Sequence, residues 1–182
     1  EEIFGMTMIT LKGKTILVAD TNVQDFPSPE RLVKVSKSCV RVARLFGFDP
    51  KVAFLSHSTF GKPISKNTKH VRDAIELLKK ENVDFDFDGE MQPDVALNPI
   101  YQEIYPFSKI VGNANILIMP ALHSAAISTK LMKVFGGGKL IGPLLIGLGS
   151  PIEVAPLRAS TSEILNLASI AAYSSDVIDY DN

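Results

Sequence analysis

The stretch VAFLSHSTFGKPISKNTKHVRDAIELLKK, residues 52–80, decides the fold class of this chain. Its first four residues are all apolar, which predicts a short buried strand over 52–55. A polar loop follows over 56–67, and apolar residues then recur at helical spacing from about 68 to 80. Because a strand, a loop and a helix in this order are typical of a crossover between parallel strands, we expect an α/β protein.

Two strands and a helix are predicted upstream of this stretch. Residues 6–11 and 15–19 are β-rich runs joined at Lys12-Gly13-Lys14, a turn in which glycine can take a positive φ. Ser28-Pro29-Glu30 is typical of a helix start, because serine can accept hydrogen bonds from the first free amides and proline suits the first helical position. We expect this helix to end at Gly47.

Downstream, the same alternation predicts a three-layer α/β/α sheet domain. A helix over 125–135 and a final helix from 160 to about 173 follow β-rich runs. Ligands usually collect at the carboxyl ends of the strands in such sheets, so we expect four segments to converge there. These segments are Asp20, the loop that starts at Ser56, the loop at Asp88 and the loop after Pro120. The predicted downstream strands are 115–119, 140–146 and 152–154.

Composition and charge argue against several classes of partner. The chain has 182 residues, 46% of them hydrophobic, and a formal net charge of −1, as in an ordinary globular protein of one or two domains. Lysines and acids are interspersed, so no basic face for nucleic acid is expected. The longest apolar run, 140–148, is broken by Gly142 and Pro143, and we expect no membrane partner.

The single cysteine and the first residue lead to two further expectations. Cys39 lies among apolar residues in a helical pattern, so we expect a buried thiol and a cytoplasmic location. The chain begins at Glu1 without an initiator methionine, so we expect it to be a piece of a longer protein.

The loop Ser56-His57-Ser58-Thr59-Phe60-Gly61-Lys62 is the first candidate binding site. Hydroxyls, a flexible glycine and a lysine directly after a strand can hold a phosphate through backbone amides and charge. Alternatively, the hydroxyls cap the turn that follows and the loop is simply solvated. The sequence leaves both interpretations open.

Three carboxylates within seven residues form a second candidate site. Asp88, Glu90 and Asp94 could supply a base, a metal site or hydrogen bonds to a ligand, or they could cap the next helix and pair with lysines. No metal centre is expected from the histidines, because none has a cysteine or glutamate at zinc-binding spacing. They are His57, His70 and His123, and His70 is expected on the exposed side of its helix.

The start of the last helix is the third candidate site. Arg158 precedes Ser160, and a guanidinium beside the free amides of a helix amino end favours an anion. Glu163 is then either a base that faces the ligand or the partner of Ser160 in a capping box, since serine followed three residues later by glutamate is the signature of that box.

A set of ordered motifs runs through most of the chain. They are Leu17-Val18-Ala19-Asp20, Phe46-Gly47-Phe48-Asp49-Pro50, and residues 52–59, 88–97, 106–108, 112–120 and 141–148. In this order and at these separations they resemble the phosphate acetyl/butyryltransferase family. The resemblance implies a fold like that of isocitrate and isopropylmalate dehydrogenases, with two α/β subdomains around a cleft, and a homodimer. Residues 1–155 would then form the second subdomain, and 156–182 the closing helix that returns to the first.

The resemblance also implies a reaction, the transfer of an acyl group between phosphate and coenzyme A. In that family a carboxylate near the start of the last helix takes the thiol proton, and an arginine and a serine stabilise the transition state. The catalytic candidates here are Arg158 and Glu163. Aligning Glu163 on the family's aspartate puts Leu157 at the arginine. Aligning on Arg158 instead puts Ile164 at the aspartate, so the two candidates fit together only with a one-residue deletion.

Other residues are similar to a subgroup of the family. Ala126 and Thr129 stand where active members have asparagine and tyrosine, which implies weakened or lost acyltransferase activity. Phe60-Gly61 and residues 163–168 resemble the acyltransferase-type domain of large NADP-dependent malic enzymes. That resemblance implies a silent regulatory module that binds acetyl-CoA and inhibits the oxidative decarboxylation of malate.

The same resemblance implies the partners. We expect acetyl-CoA or a related acyl-CoA as effector, a homodimer or higher oligomer, and a malic enzyme catalytic domain in the same protein. NADP and a divalent metal would be bound by that catalytic domain, and no cofactor by this chain. A working phosphate acyltransferase and a pure dimerisation module stay open as alternatives. The expected acetyl-CoA ligands are Ser56, Ser58, Thr59, Lys62, His123 and Arg158.

Overall fold

The protein, seen in a computed structural model that describes residues 2–177, alternates strands and helices along its length. Two short 3₁₀ segments, Lys66–Thr68 and Pro99–Gln102, lie in the connections. The strands are β1 (Phe4–Leu11), β2 (Lys14–Ala19), β3 (Lys51–Leu55), β4 (Asp86–Met91), β5 (Ile116–Ile118) and β6 (Lys139–Ile146). The helices are α1 (Pro29–Leu45), α2 (Lys69–Lys80), α3 (Pro93–Leu97), α4 (Leu122–Gly136) and α5 (Thr161–Val177).

The six strands form one mixed sheet in the order β4-β3-β5-β2-β1-β6. The four strands β4, β3, β5 and β2 are parallel to one another, which confirms the predicted crossovers. β1 runs antiparallel to both β2 and β6. The predicted hairpin between β1 and β2 is therefore confirmed, with Leu11 opposite Lys14 at its turn.

Helices cover both faces of this sheet because the side chains of its buried strands alternate. Val52 and Phe54 of β3 point to the face that carries α1 and α2. Ala53 and Leu55 point to the other face, where they pack with residues of α3 and α4. Since a strand buried on both faces needs apolar residues at every position, the unbroken apolar run of β3 is explained. The predicted α/β fold with three layers is confirmed in this form.

The predicted start of α1 is also confirmed. Ser28 is its N-cap, and the Ser28 hydroxyl accepts a hydrogen bond from the backbone N–H of Arg31 at 3.3 Å. Cys39 lies on the inner side of α1 and is fully buried, as predicted. Burial raises the pKa of the Cys39 thiol well above its ordinary value, so the thiol is unreactive.

Three sequence predictions about elements are wrong. Residues 152–154 do not form a strand, because they make only one isolated bridge, between Glu153 and Leu144. α4 begins at Leu122, three residues before its predicted start, since Ala121 precedes it in an extended conformation without a capping side chain. Asp88 lies inside β4 and not in a loop after it.

The last helix packs on the α1 side of the sheet, and its predicted start at residue 160 agrees with Ser160 preceding α5. Leu167 of α5 belongs to the core on that face. The predicted division at residue 155 stays a prediction, and its outermost parts, residue 1 and residues 178–182, lie outside the described residues. Within the described helices, none is long and apolar enough to cross a membrane.

Gly112 and Gly13 allow a matched test of packing against backbone strain. Both have φ near +76°, but a Cβ on Gly112 would lie 2.2 Å from the backbone nitrogen of Pro99, whereas a Cβ on Gly13 would meet nothing within 4 Å. We expect Gly13→Ala to lower the free energy of unfolding by about 1 kcal/mol, and Gly112→Ala by about 3 kcal/mol or more. Urea denaturation of both variants measures this, and equal losses would contradict the close approach at Gly112.

Candidate functional site

A cavity of about 410 Å³ lies between α4, β6, the first turns of α5 and the loop after β2. One side of it is apolar and comes from Leu122, Leu140, Ile141 and Pro143. Lys130 and Lys133 of α4 bring two cations, and Glu163 of α5 brings one carboxylate. A concave, partly apolar cavity with a few convergent charges is the usual form of a small-molecule site.

Asp20 holds the loop that forms one edge of this cavity. Its buried carboxylate accepts hydrogen bonds from the backbone N–H groups of Gly5 and Asn22, both at 2.9 Å. It accepts two more from Val23 and Gln24, both at 3.1 Å. Because all four bonds are to backbone amides, they fix the course of the chain from 20 to 24. Asp20 itself does not line the cavity, but Asn22 does.

Two positions of the α4 wall, Ala126 and Thr129, present no free side-chain donor to the cavity. The Thr129 hydroxyl donates to the backbone carbonyl of Ala125 at 2.8 Å, so its proton is used within the helix. Ala126 has no polar side-chain atom. The two positions where the family resemblance implies asparagine and tyrosine therefore offer no side-chain donor to a bound molecule.

Glu163 is held as the partner of a capping box. Its Oε2 accepts from the backbone N–H and the hydroxyl of Ser160 at 2.7 and 2.9 Å, and its own N–H donates to the Ser160 hydroxyl at 3.3 Å. Its Oε1 lies 3.3 Å from the ammonium of Lys133. The pKa of Glu163 is lowered, most of all by the hydrogen bond from the backbone N–H of Ser160. The hydrogen bond from the Ser160 hydroxyl and the nearby Lys133 lower this pKa further. The capping-box interpretation of the sequence is thus the one that the structure shows.

Arg158 and His123 lie near the cavity but not among the residues that line it. Both side chains are exposed. Arg158 comes two residues after Pro156, and His123 directly follows Leu122, and these two neighbours do line the cavity. Their contact with a ligand stays a prediction.

The Ser56 loop is placed elsewhere and uses its hydroxyls internally. The Ser58 hydroxyl donates to Glu90 Oε1 at 2.9 Å, and the Gly61 N–H donates to the same oxygen at 2.9 Å. Ser56 is hydrogen-bonded to Ser58 at 3.2 Å, and the Thr59 hydroxyl accepts from the N–H of Gln92 at 3.2 Å. These bonds fasten the loop to β4, which is closer to the capping alternative than to a phosphate cradle.

The structure therefore does not bring the predicted ligand set together. None of the loop residues of that set lines the cavity, and three of them are buried. Their role in acetyl-CoA binding stays a prediction. The loop residues concerned are Ser56, Ser58, Thr59 and the exposed Lys62.

The three carboxylates of the second candidate site have separate partners. Asp88 accepts from the Ser108 hydroxyl at 2.9 Å, and Asp94 accepts from the Tyr101 hydroxyl at 2.9 Å. Glu90 is buried and pairs with the guanidinium of Arg72 at 3.3 Å. Among the residues that the structure describes, no three metal-ligating side chains come together. These acids stabilise loops, in line with the structural alternative.

His70 is not the exposed residue that its helix pattern predicted. Its ring is half-buried and lies 4.4 Å from the ring of Phe26, centroid to centroid. Its Nε2 lies 2.9 Å from the carbonyl oxygen of Pro120. The loop after β2 covers this part of α2, and a helical pattern carries no information on such a contact.

The predicted convergence at the carboxyl ends holds for three of the four segments. Asp20, Ser56 and Met119-Pro120 follow β2, β3 and β5, which are parallel neighbours, so these segments share one edge of the sheet. They nevertheless contribute to two different clusters, the cavity and the group of residues hydrogen-bonded to Glu90.

Two lysines of the cavity, Lys130 and Lys133, were missed in the sequence analysis. Their spacing of three residues on a predicted helix was the signal that could have indicated them.

The chain is similar to known proteins along nearly its whole length. Residues 2–172 match the family described as Phosphate acetyl/butaryl transferase. An NADP-dependent malic enzyme of Rhizobium meliloti (strain 1021) is 45% identical over 171 residues, which are 94% of this chain and 22% of that protein. The chain thus spans about a fifth of the length of this relative.

Acyltransferases are also similar to the chain. A phosphate acetyltransferase of Bacillus subtilis (strain 168) is 32% identical over 169 residues, which are 92% of this chain and 52% of that protein. The crystal structure of a phosphotransacetylase from Streptococcus pyogenes superposes with a TM-score of 0.90 at 30% identity, over 97% of this chain and 54% of that one. About half of these longer molecules has no counterpart here.

The Arg72–Glu90 pair gives a test of the loop network. Arg72→Met leaves a buried carboxylate without its cation, so we expect a loss of about 2 kcal/mol in the free energy of unfolding. Lys79→Met, which breaks the exposed pair of Lys79 with Glu76, should cost at most about 0.5 kcal/mol. Adding Glu90→Gln to Arg72→Met should restore part of the loss in urea denaturation. Equal costs for the two single variants would contradict the network.

Proposed function

The chain belongs to the phosphate acetyl/butaryl transferase family, and from this premise we propose that it is the acetyl-CoA-binding regulatory domain of an NADP-dependent malic enzyme. The malic enzymes among its relatives support this, because the chain matches about a fifth of their length. The observation that carries the proposal is the α4 wall of the cavity, where Ala126 and Thr129 offer no donor to a reacting group.

The cavity suits a molecule that is apolar at one end and anionic at the other. Acetyl-CoA carries a thioester on a flexible arm and several phosphates. The apolar side, with Leu140, Ile141 and Pro143, is suited to the arm, and Lys130 and Lys133 are suited to phosphate as point charges. A phosphate that approaches Lys133 competes with Glu163 for the same ammonium.

Binding without turnover follows from the state of the remaining groups. Acyl transfer needs a base for the thiol and preorganised donors for the oxyanion. Glu163 accepts hydrogen bonds from Ser160 and pairs with Lys133, which favours its ionised form but leaves it committed to the helix start. With Glu163 aligned on the family's aspartate, Leu157 stands at the arginine and cannot supply the guanidinium that the family reaction uses.

In the complete protein, malate oxidation would take place in a separate catalytic domain that holds NADP and a divalent metal. Acetyl-CoA inhibits it only when it binds one state of the assembly more tightly than another. The single, buried Cys39 supports a cytoplasmic location, and the family resemblance supports a two-subdomain fold like that of isocitrate dehydrogenase. A first subdomain outside this chain would then close the cavity from the side that is open here.

Calorimetric titration with acetyl-CoA tests the ligand and its place. We expect binding by the wild type, and a dissociation constant about tenfold higher for Lys130→Met and for Lys133→Met, since each loses one charge-assisted contact. Lys80→Met, an exposed lysine at the end of α2, is the matched control and should bind like the wild type. In the complete protein, acetyl-CoA should inhibit malate oxidation.

Two results would contradict this proposal. Absence of binding to the complete protein would exclude acetyl-CoA as its effector, and unchanged affinity in both α4 variants would exclude this cavity. Acetyl phosphate and coenzyme A, followed by thioester absorbance, address the alternative of a working phosphate acyltransferase. Turnover that Glu163→Gln abolishes would replace the regulatory function with the catalytic one.

Support for a homodimer comes from the outer side of α4. Ile127, Leu131, Val134 and Phe135 follow each other at helical spacing, and 58%, 51%, 74% and 83% of their surfaces are exposed. A contiguous apolar stripe on a surface helix marks an interaction site more often than a solvated face. A second copy of this chain is the partner that the family resemblance implies.

Sedimentation at micromolar concentration tests this surface. We expect a dimer for the wild type and a monomer for Phe135→Asp, because a carboxylate in an apolar interface is not solvated. Ile64→Asp, at an equally exposed isoleucine with 89% of its surface in solvent, should remain dimeric. A monomeric wild type, or a dimer in both variants, would contradict the stripe as the interface.

A further inference from the structure

The chain returns along β6 after its end and brings a carboxyl group into an apolar environment. Glu153 makes an isolated antiparallel bridge with Leu144 of β6. Its side chain lines a small cavity of about 10 Å³ between α1, β6 and α5. Three of the other residues that line this cavity are Phe46, Ile146 and Ile170, one from the end of α1 and one each from β6 and α5.

One oxygen of this carboxyl group has no partner. Glu153 Oε2 is buried and makes no hydrogen bond with any described group. A cavity of about 10 Å³ has room for one water at most, which cannot replace the hydration shell of a carboxylate. Burying part of a carboxylate without a cation is costly, so this position favours the neutral acid.

Among the residues that the structure describes, none of those that line this cavity with Glu153 carries a positive charge. Val42 and Leu45 of α1 line the cavity together with Phe46, which directly follows α1, and the β6 residues are Leu144 and Ile146. From α5 come Ile170, Tyr173 and Ser174. Tyr173 is the only other titratable group among these lining residues, and its hydroxyl donates to the Leu45 carbonyl at 3.3 Å. Burial raises the pKa of Glu153 to about 7, and a hydrogen bond with the backbone of Leu145 acts in the opposite direction but is the smaller effect.

The same cavity is where α5 is attached to the rest of the molecule. Leu167 is buried and Ile170 half-buried against the core, and the ring of Tyr173 lies 6.3 Å from that of Phe46. One turn earlier, Glu163, Asn166 and Leu167 of α5 form a wall of the large cavity. A change at Glu153 therefore acts on the helix that shapes the candidate ligand site.

We propose that Glu153 is a proton-operated switch for the docking of α5. With its carboxyl group protonated, α5 packs over Glu153 on β6 and α1. With the carboxylate ionised, the group requires water, and α5 is released from this position. The switch goes beyond the regulatory function proposed above and does not require a ligand.

The docking of α5 depends on pH because the pKa of Glu153 differs between the docked and the released state. When α5 is released, Glu153 is solvated and titrates near its ordinary value of 4.5, whereas the docked state keeps the proton up to about pH 7. Between these values release of α5 frees a proton, so docking weakens as the pH rises. Below the lower value the docked state has its full stability, and above the higher value no further loss occurs.

Amide hydrogen exchange of α5 measures the switch directly. At each pH from 5 to 8, the wild type is compared with Glu153→Gln, which keeps the shape and cannot titrate, so the intrinsic pH dependence of exchange cancels. We expect the ratio of the wild-type rate to the variant rate for residues 163–174 to rise about tenfold or more over this range. Glu103→Gln is the matched control, at an exposed glutamate in the connection between α3 and β5. The ratio of the wild-type exchange rate to the Glu103→Gln rate should not change with pH.

A second variant guards against an effect of the glutamine itself. Glu153→Leu removes the polar group altogether and should show the same pH-independent α5 exchange as Glu153→Gln. A ratio that stays constant from pH 5 to 8 for both variants would overturn the proposal. The readout contains no acetyl-CoA, so failure of the effector assignment leaves this test unaffected.

Discussion

A three-residue strand, β5, is the constraint on which the rest of the structure depends. It lies between β2 and β3 and hydrogen-bonds to both, so it joins the hairpin side of the sheet to the β3–β4 side. Ile116 and Ile118 belong to the core under α1 and α2, while Leu117 belongs to the opposite core. Because all three residues are buried, helices must cover both faces, and the loops that carry polar groups are left at the ends of the strands.

Buried carboxylates turn those loops into fixed structures. Asp20 uses four backbone amides to shape the loop beside the cavity, and Glu90 uses Ser58, Gly61 and Arg72 to hold the loop after β3. The sequence analysis placed Asp20 among the segments expected at the carboxyl ends of the strands, and Glu90 in a cluster of three carboxylates. Their hydrogen bonds show that they are scaffolding, and they leave the open cavity to the lysines of α4 and the first turn of α5.

The cavity differs from the reactive site that the family resemblance implies, because it lacks groups that the reaction needs. Ala126 and Thr129 of α4 offer no side-chain donor, and the carboxylate of Glu163 on α5 is hydrogen-bonded to its own helix start. A molecule can still be held there by apolar contact and two positive charges. Binding without reaction is what a regulatory domain requires, provided that α5 and the surfaces around it differ between two states of the assembly. Glu153 lies under the same helix and makes the docking of that helix depend on pH.

Local sequence determined most of the elements, because the periods of strands and helices are properties of the backbone. The apolar run 52–55, the Lys12-Gly13-Lys14 turn and the Ser28 cap all predicted what the structure contains. The ordered motifs were also enough to predict the family. Tertiary structure alone decided which polar groups meet: that His70 contacts Phe26, that Glu90 takes the Ser58 hydroxyl, and that Glu153 lies in an apolar cavity. Ser58 and Glu90 are 32 positions apart, and Phe46 in the cavity is more than 100 positions from Glu153. No local pattern specifies the partner across such a distance.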